Sequence, residues 1–191
     1  MSLGSSGRGA RLGIRALPGY NPAVSRATAS LKIVVGDPIP SIGLRATDGY
    51  LLNLRSWVGK SPVAHLFFAG PSLTGAARTA ADAMARAVAS NVSRLDAAGA
   101  AITGVTTDNE RQQTEFVTAL ELPFLLLSDE RKIASEALGI PLVERRGNTN
   151  VASPVMVAVD EAGLVRGIYH DPDPRLVAAI VLEIFREPLP A

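Results

Sequence analysis

The chain has 191 residues, 47% of them hydrophobic and 19% charged, with a formal net charge of +1. That length can bury one substantial core beside a tail, and the near-neutral charge argues against a strong whole-domain field for nucleic acid. With no cysteine and only two histidines, the chain has no disulfides, thiolate metal sites or thiol catalysis, and little from which to build a structural zinc site.

Residues 1–35 carry Arg8, Arg11, Arg15, Arg26 and Lys32 without one acidic residue, set among Ser, Gly and Ala. They show no helical or strand period, so their composition predicts a flexible basic arm. The same composition fits an appended leader or an Arg-rich transit peptide, although Gly and Pro interrupt the amphipathic helix a transit peptide uses. It has no apolar core of the secretory kind, and no run in the chain approaches the roughly 20 apolar residues that span a bilayer. The compartment is not fixed by these features; the expectation is a soluble protein of the cytoplasm or an organellar stroma or matrix in preference to a secreted one.

The globular domain is expected over residues 36–191. Thr47, Asp48 and Gly49 are a turn signal between apolar stretches at 42–44 and 50–54, which predicts a small hairpin. Ser56 to Gly59 reads as a short helical turn. Residues 62–69 form a nearly continuous apolar run bounded by Pro and Gly, the pattern of a strand buried on both faces. Thr74 is placed to cap a long helix reaching about Ala98, with Ala77, Ala81, Met84, Val88, Val92 and Leu95 on its inward stripe. A second buried strand follows at 100–107.

Asp108 is expected to cap the next helix, whose apolar side holds Phe116, Val117 and Leu120 and which Pro123 stops. Residues 124–127 make a short strand, and a third helix runs from Ser128 or Asp129 to Gly139. Residues 145–150 read as an exposed polar loop. Strands at 155–159 and 164–169 form a hairpin, and Asp173 with Pro174 opens a last helix through Phe185. The order is parallel crossovers, then an antiparallel pair and a closing helix. It implies an α/β fold whose mixed central sheet carries helices on both faces, because the central strands are apolar on both sides.

From Gly36 to His170 the chain resembles the alkyl hydroperoxide reductase and thiol-specific antioxidant family, the peroxiredoxin-like branch of the thioredoxin fold. The opening Gly36-Asp37-Pro38-Ile39-Pro40 and the turn at 47–49 resemble its entry segment. More specific are Gly104-Val105-Thr106-Thr107-Asp108, Phe116, Leu122-Pro123-Phe124 and Leu126-Leu127-Ser128-Asp129, then Ala137-Leu138-Gly139-Ile140 and Val157-Ala158-Val159-Asp160 with Gly163. The resemblance implies a three-layer thioredoxin-like domain.

It also implies where a thiol should stand. The family presents Thr-x-x-Cys in the first turn of the helix after the buried strand, where the helix N-terminus stabilises a thiolate. Here that segment is Thr74-Gly75-Ala76-Ala77, so a methyl group occupies the position of the nucleophile. Pro71 stands one residue closer to Thr74 than the peroxidase pattern has it. The family's arginine ahead of the strand at 155–159 is replaced by Ser153-Pro154. That pair resembles the cis-proline of thioredoxins, and a cis Pro154 is the expectation. Arg78 matches an arginine that follows the second cysteine of many thioredoxin-like proteins; in the first turn it opposes the helix dipole and gains nothing structurally.

Thr74, Ala77, Arg78 and Pro154 are therefore the degenerate active-site positions, of which Thr74 and Ala77 read first as a helix cap and a small core residue and second as a retained niche for an anion or peptide. His65, inside a buried strand, reads as a satisfied core histidine rather than a base. His170-Asp171-Pro172-Asp173 reads as a turn into a helix cap ahead of a metal site. Phosphate-binding glycine loops, serine elbows and paired carboxylates are missing from the sequence. No catalytic residue, cofactor or metal is assigned.

The functional expectation is a non-catalytic accessory or assembly subunit that works through protein–protein contacts, with the basic arm laid on its partner. A homodimer is compatible with it; nucleic acid and a transmembrane segment are not expected. The alternative is a thiol peroxidase whose native cysteine at 77 or 76 has been replaced by alanine. A small-ligand carrier using the groove between Thr74 and Pro154 is a third class, with no motif behind it.

Overall fold

A computed structural model describes residues 31–145 and 148–186. The body of the proposed arm, residues 1–30, lies outside the described residues. Packing begins just before Gly36: Ile33 is buried, and the Lys32 amide donates to the Leu138 carbonyl at 2.9 Å.

Nine strands and five helices follow. They are β1 (Gly43–Ala46), β2 (Leu51–Asn53), β3 (Val63–Phe67), α1 (Gly75–Ala89), α2 (Val92–Asp96), β4 (Ala101–Thr106) and α3 (Glu110–Leu120). After them come β5 (Leu125–Ser128), α4 (Ile133–Leu138), β6 (Leu142–Arg145), β7 (Asn148–Ala152), β8 (Val155–Val159), β9 (Val165–His170) and α5 (Val177–Ile184). Seven strands form one mixed sheet in the order β2-β1-β5-β4-β3-β8-β9, and β6 pairs with β7 apart from it. β3, β4 and β5 run parallel, as crossover connections through helices require, while β8 and β1 flank them antiparallel.

Side-chain alternation on the central strands builds two cores. Val63 and Phe67 of β3 and Val155, Val157 and Val159 of β8 point to the face covered by Ala134 and Leu138 of α4. Ala64, Leu66 and Phe68 point the other way with Met156, beneath α1, α2, α3 and α5. The sheet is thus a middle layer, which is the α/β, thioredoxin-like three-layer architecture expected. Each large side chain fully buried on these faces contributes about 1.5–3 kcal/mol. Among the described residues no helix is long and apolar enough to cross a membrane.

Several local expectations need correction. The long helix is two: α1 ends at Ala89, where the Ser90 hydroxyl and the Asn91 side-chain Nδ2 both donate to the Ala87 carbonyl, and α2 restarts at Val92. Side chains of this kind compete with the backbone ladder and break it. Asn109 rather than Asp108 caps α3. Its side chain accepts from the Gln112 amide and the Gln112 side chain accepts from the Asn109 amide, a reciprocal capping box.

α4 starts four residues after Asp129, although Asp129 still serves it. Its carboxylate accepts from the Ala134 amide at 3.0 Å and from the amide and hydroxyl of Ser135. α5 begins at Val177, because Asp173 spends its side chain on a turn, accepting from the Arg175 amide. Of the loop expected at 145–150, Arg145 instead ends β6 and residues 148–150 open β7, with Leu142 paired with Ala152 and Val143 with Val151, while residues 146 and 147 lie outside the described residues.

Candidate functional site

The site grows from the C-terminal end of β3. Phe67 pairs with Val155, so Pro154 is carried beside Phe68 where β3 runs out toward α1. Between them residues 69–74 turn away from the sheet. Asp108, itself buried, holds that turn by accepting the Ser72 amide at 2.8 Å. Gly70 is required there, since a Cβ would occupy the space of the Asp108 carboxylate and press on Thr106 at 2.8 Å. Thr106 in turn accepts from the Asp108 amide and from Gln113 of α3, which also donates to the Leu127 carbonyl. The polar network behind the loop therefore ties β4, β5 and α3 to the start of α1.

α1 opens on Thr74, in extended conformation at the N-cap position, but its side chain makes no capping bond and is exposed. Gly75 follows with φ of 57°, and the first turn contains no acidic residue. Arg78 lies in that turn and is more than inherited charge. Its Nε donates to Asp82 at 2.6 Å, its Nη1 to the Pro71 carbonyl at 2.9 Å, and its guanidinium sits 4.9 Å from the Phe116 ring centroid. These contacts clamp α1 to the preceding loop and to α3, and they offset the unfavourable dipole. The expectation that Arg78 gains nothing structurally is overturned.

Ala77 and Pro154, far apart in sequence, line one hollow of about 140 Å³ together with Phe68, Leu73, Ala80 and Met84. Thr74 and Arg78 do not line it. The Ser153–Pro154 bond is trans, since the described residues contain no cis peptide bond. Trans is the lower-energy isomer by about 0.5–1 kcal/mol. The backbone on either side is already satisfied in it, with the Ser153 amide donating to the Pro141 carbonyl and the Asp171 amide to that of Pro154. Among the described residues no thiol, hydroxyl or imidazole lines the hollow, which offers apolar surface without a nucleophile or base.

His65 is fully buried and takes no part. Nε2 donates to the Leu54 carbonyl at 3.1 Å, which leaves Nδ1 to accept from the Thr103 hydroxyl at 2.8 Å, and Trp57 packs edge-on at 5.6 Å. Burial lowers its pKa from 6.5 to about 4 against the smaller opposing effect of the Leu54 bond, so the ring is neutral. In the turn after β9, Asp173 pairs with Arg175 at 2.7 Å, and that hydrogen bond holds its carboxyl below the usual range. Among the described residues no group of three or more His, Asp or Glu side chains could hold a metal ion.

Sequence reasoning placed Ala77 and Pro154 at one site and missed the network beneath it. The sequence marks Asp108 as a helix cap and gives Thr106 and Gln113 no role. Gly70 was the available signal, because a glycine after a buried strand marks close approach of another group.

Known proteins supply the comparison. A family model described as Redoxin matches residues 34–180. Peroxiredoxin Q, chloroplastic, of Populus jackii is 30% identical over 144 residues, covering 75% of this chain and 63% of that protein. The protein of the same name in Oryza sativa subsp. japonica is 29% identical over 140 residues, or 73% of this chain. The chain spans about 60% of the length of the rice relatives it matches. The peroxidoxin BcpB of Mycobacterium tuberculosis superposes with a TM-score of 0.67 at 18% identity, covering 80% of this chain and 96% of that one. Peroxiredoxin Q of Xanthomonas campestris gives 0.62 at 20% identity, covering 76% and 89%.

Proposed function

We propose, from the premise that this chain belongs to the Redoxin family yet contains no cysteine, that it acts without redox chemistry as an accessory or assembly subunit through protein–protein contacts. One observation carries the reading. The methyl group of Ala77 stands in the first turn of α1, at the hollow beside Pro154, where the family's resemblance implies a thiolate. A side chain with no ionisable or nucleophilic atom cannot attack a peroxide bond. The loop before α1 is nevertheless held by Asp108, and the first turn by Arg78. The shape of the site is maintained although its chemistry is gone.

The basic arm is the feature proposed to reach the partner, since residues 1–30 hold four arginines and no acid. An arm of that charge favours an acidic protein surface, with attraction that weakens as salt rises. The test is to isolate complexes of the full chain and of a chain lacking residues 1–30 and to compare their stoichiometry. A defined complex that the shortened chain fails to form supports the arm's role; equal association of both chains overturns it.

The second reading, a peroxidase whose thiol has been removed, draws on the same geometry because Ala77 still lies at the site. Ala77→Cys separates the two. Peroxide turnover restored by that single change favours the second reading, and an inert variant with a titratable thiol removes it.

A further inference from the structure

The wall of α1 beside the erased thiol position is made of small residues. Ala77, Ala80 and Ala81 recur at helical spacing and face the sheet end, where larger side chains would fill the space. What remains is a hollow of about 140 Å³ between α1 and Pro154, with Phe68, Leu73 and Met84 as its other apolar walls. Among the described residues no charged side chain lines it. The charged groups on the first turn of α1 and behind its loop are engaged elsewhere: Arg78 with Asp82, Pro71 and Phe116, and Asp108 with Ser72. An ion entering the hollow would give up hydration without gaining a partner.

A neutral apolar molecule faces no such penalty. Enclosed cavities of roughly 150 Å³ with Leu, Ile and Phe walls accept benzene or xenon, and this hollow has a similar volume and similar walls but is open on one side. We infer that the hollow between α1 and Pro154 is a binding site for one neutral, apolar small molecule of about the size of benzene. The inference rests on the thiol-free reading of the site, because a thiolate at 77 would put charge into its wall. Ala80 is exposed, so the site opens to solvent and the affinity is modest, with a dissociation constant of about 1 mM for so few ligand atoms.

The experiment uses the full chain labelled with ¹³C at the methionine methyls. Met84 reports on the hollow, and Met156, fully buried in the core, serves as the internal reference. Benzene is expected to shift Met84 saturably while Met156 stays in place. Benzoate, of the same shape but charged, is expected to bind at least tenfold more weakly. Ala80→Leu fills the hollow and is expected to weaken benzene at least tenfold, whereas Ala76→Leu, at an exposed position that does not line it, leaves binding unchanged. A linear response at Met84, benzoate as tight as benzene, or undiminished binding to Ala80→Leu would each overturn the proposal. Neither peroxide nor a partner protein enters this measurement, so its failure is distinct from failure of the accessory-subunit reading.

Discussion

His65 shows what a single buried side chain does to the whole. Its folded pKa of about 4 lies below the unfolded value of 6.5, so above pH 6.5 both states are neutral and its contribution to stability is complete. As pH falls from 6.5 toward 4 the unfolded state takes a proton that the folded state refuses, and stability is lost. The total is about 3 kcal/mol. Denaturant unfolding at a series of pH values should show this decline, and His65→Gln should flatten it over that window while lowering stability at pH 7. A wild-type curve with no slope there would contradict the burial argument. Arg78 is the second instructive residue. Arg78→Lys keeps the charge but loses the planar fork that reaches Asp82 and Pro71 and lies over Phe116, so it should cost about 1 kcal/mol in the same measurement.

Among the elements, helix starts were the least legible part of the sequence. Of the residues expected as caps only Asp129 serves its helix, while Thr74 makes no capping bond, Asn109 takes the place of Asp108 and Asp173 turns to Arg175. The sequence places the start of the third helix at Ser128 or Asp129. In the structure Asp129 reaches forward over a turn whose Lys132 has φ of 59°, and it caps amides at 134 and 135. Asp129→Ala should therefore cost about 2–3 kcal/mol, more than the roughly 1 kcal/mol of Asn109→Ala, since the buried Asp129 side chain accepts three hydrogen bonds and Asn109 is an ordinary cap. Thermal unfolding of the two variants decides the order, and equal losses would contradict it. The hairpin of β6 and β7 escaped notice for another reason. Only Leu142 and Val143 pair with Val151 and Ala152, too few apolar positions for a period to show around a polar tip.

At the scale of the molecule most of the architecture was legible. β3, β4 and β8 are apolar on both faces, which requires a layer of helices on each side, and the pattern of Gly, Pro and acid between them marks the crossovers. The meeting of Ala77 with Pro154 was reached through family resemblance. No local pattern joins residues so far apart, and only the register of β3 with β8 does so. The trans geometry of Pro154 was beyond sequence reasoning altogether, because the choice of isomer depends on the bonds made by Ser153 and Asp171. What the sequence alone stated unambiguously was chemical: no sulfhydryl exists in the chain. The direct measurement is consumption of hydrogen peroxide and an alkyl hydroperoxide by the purified natural chain, supplied with a thiol reductant. The account predicts the rate of reductant and peroxide without protein. Catalytic turnover above that rate, saturable in peroxide and proportional to the chain's concentration, would contradict it.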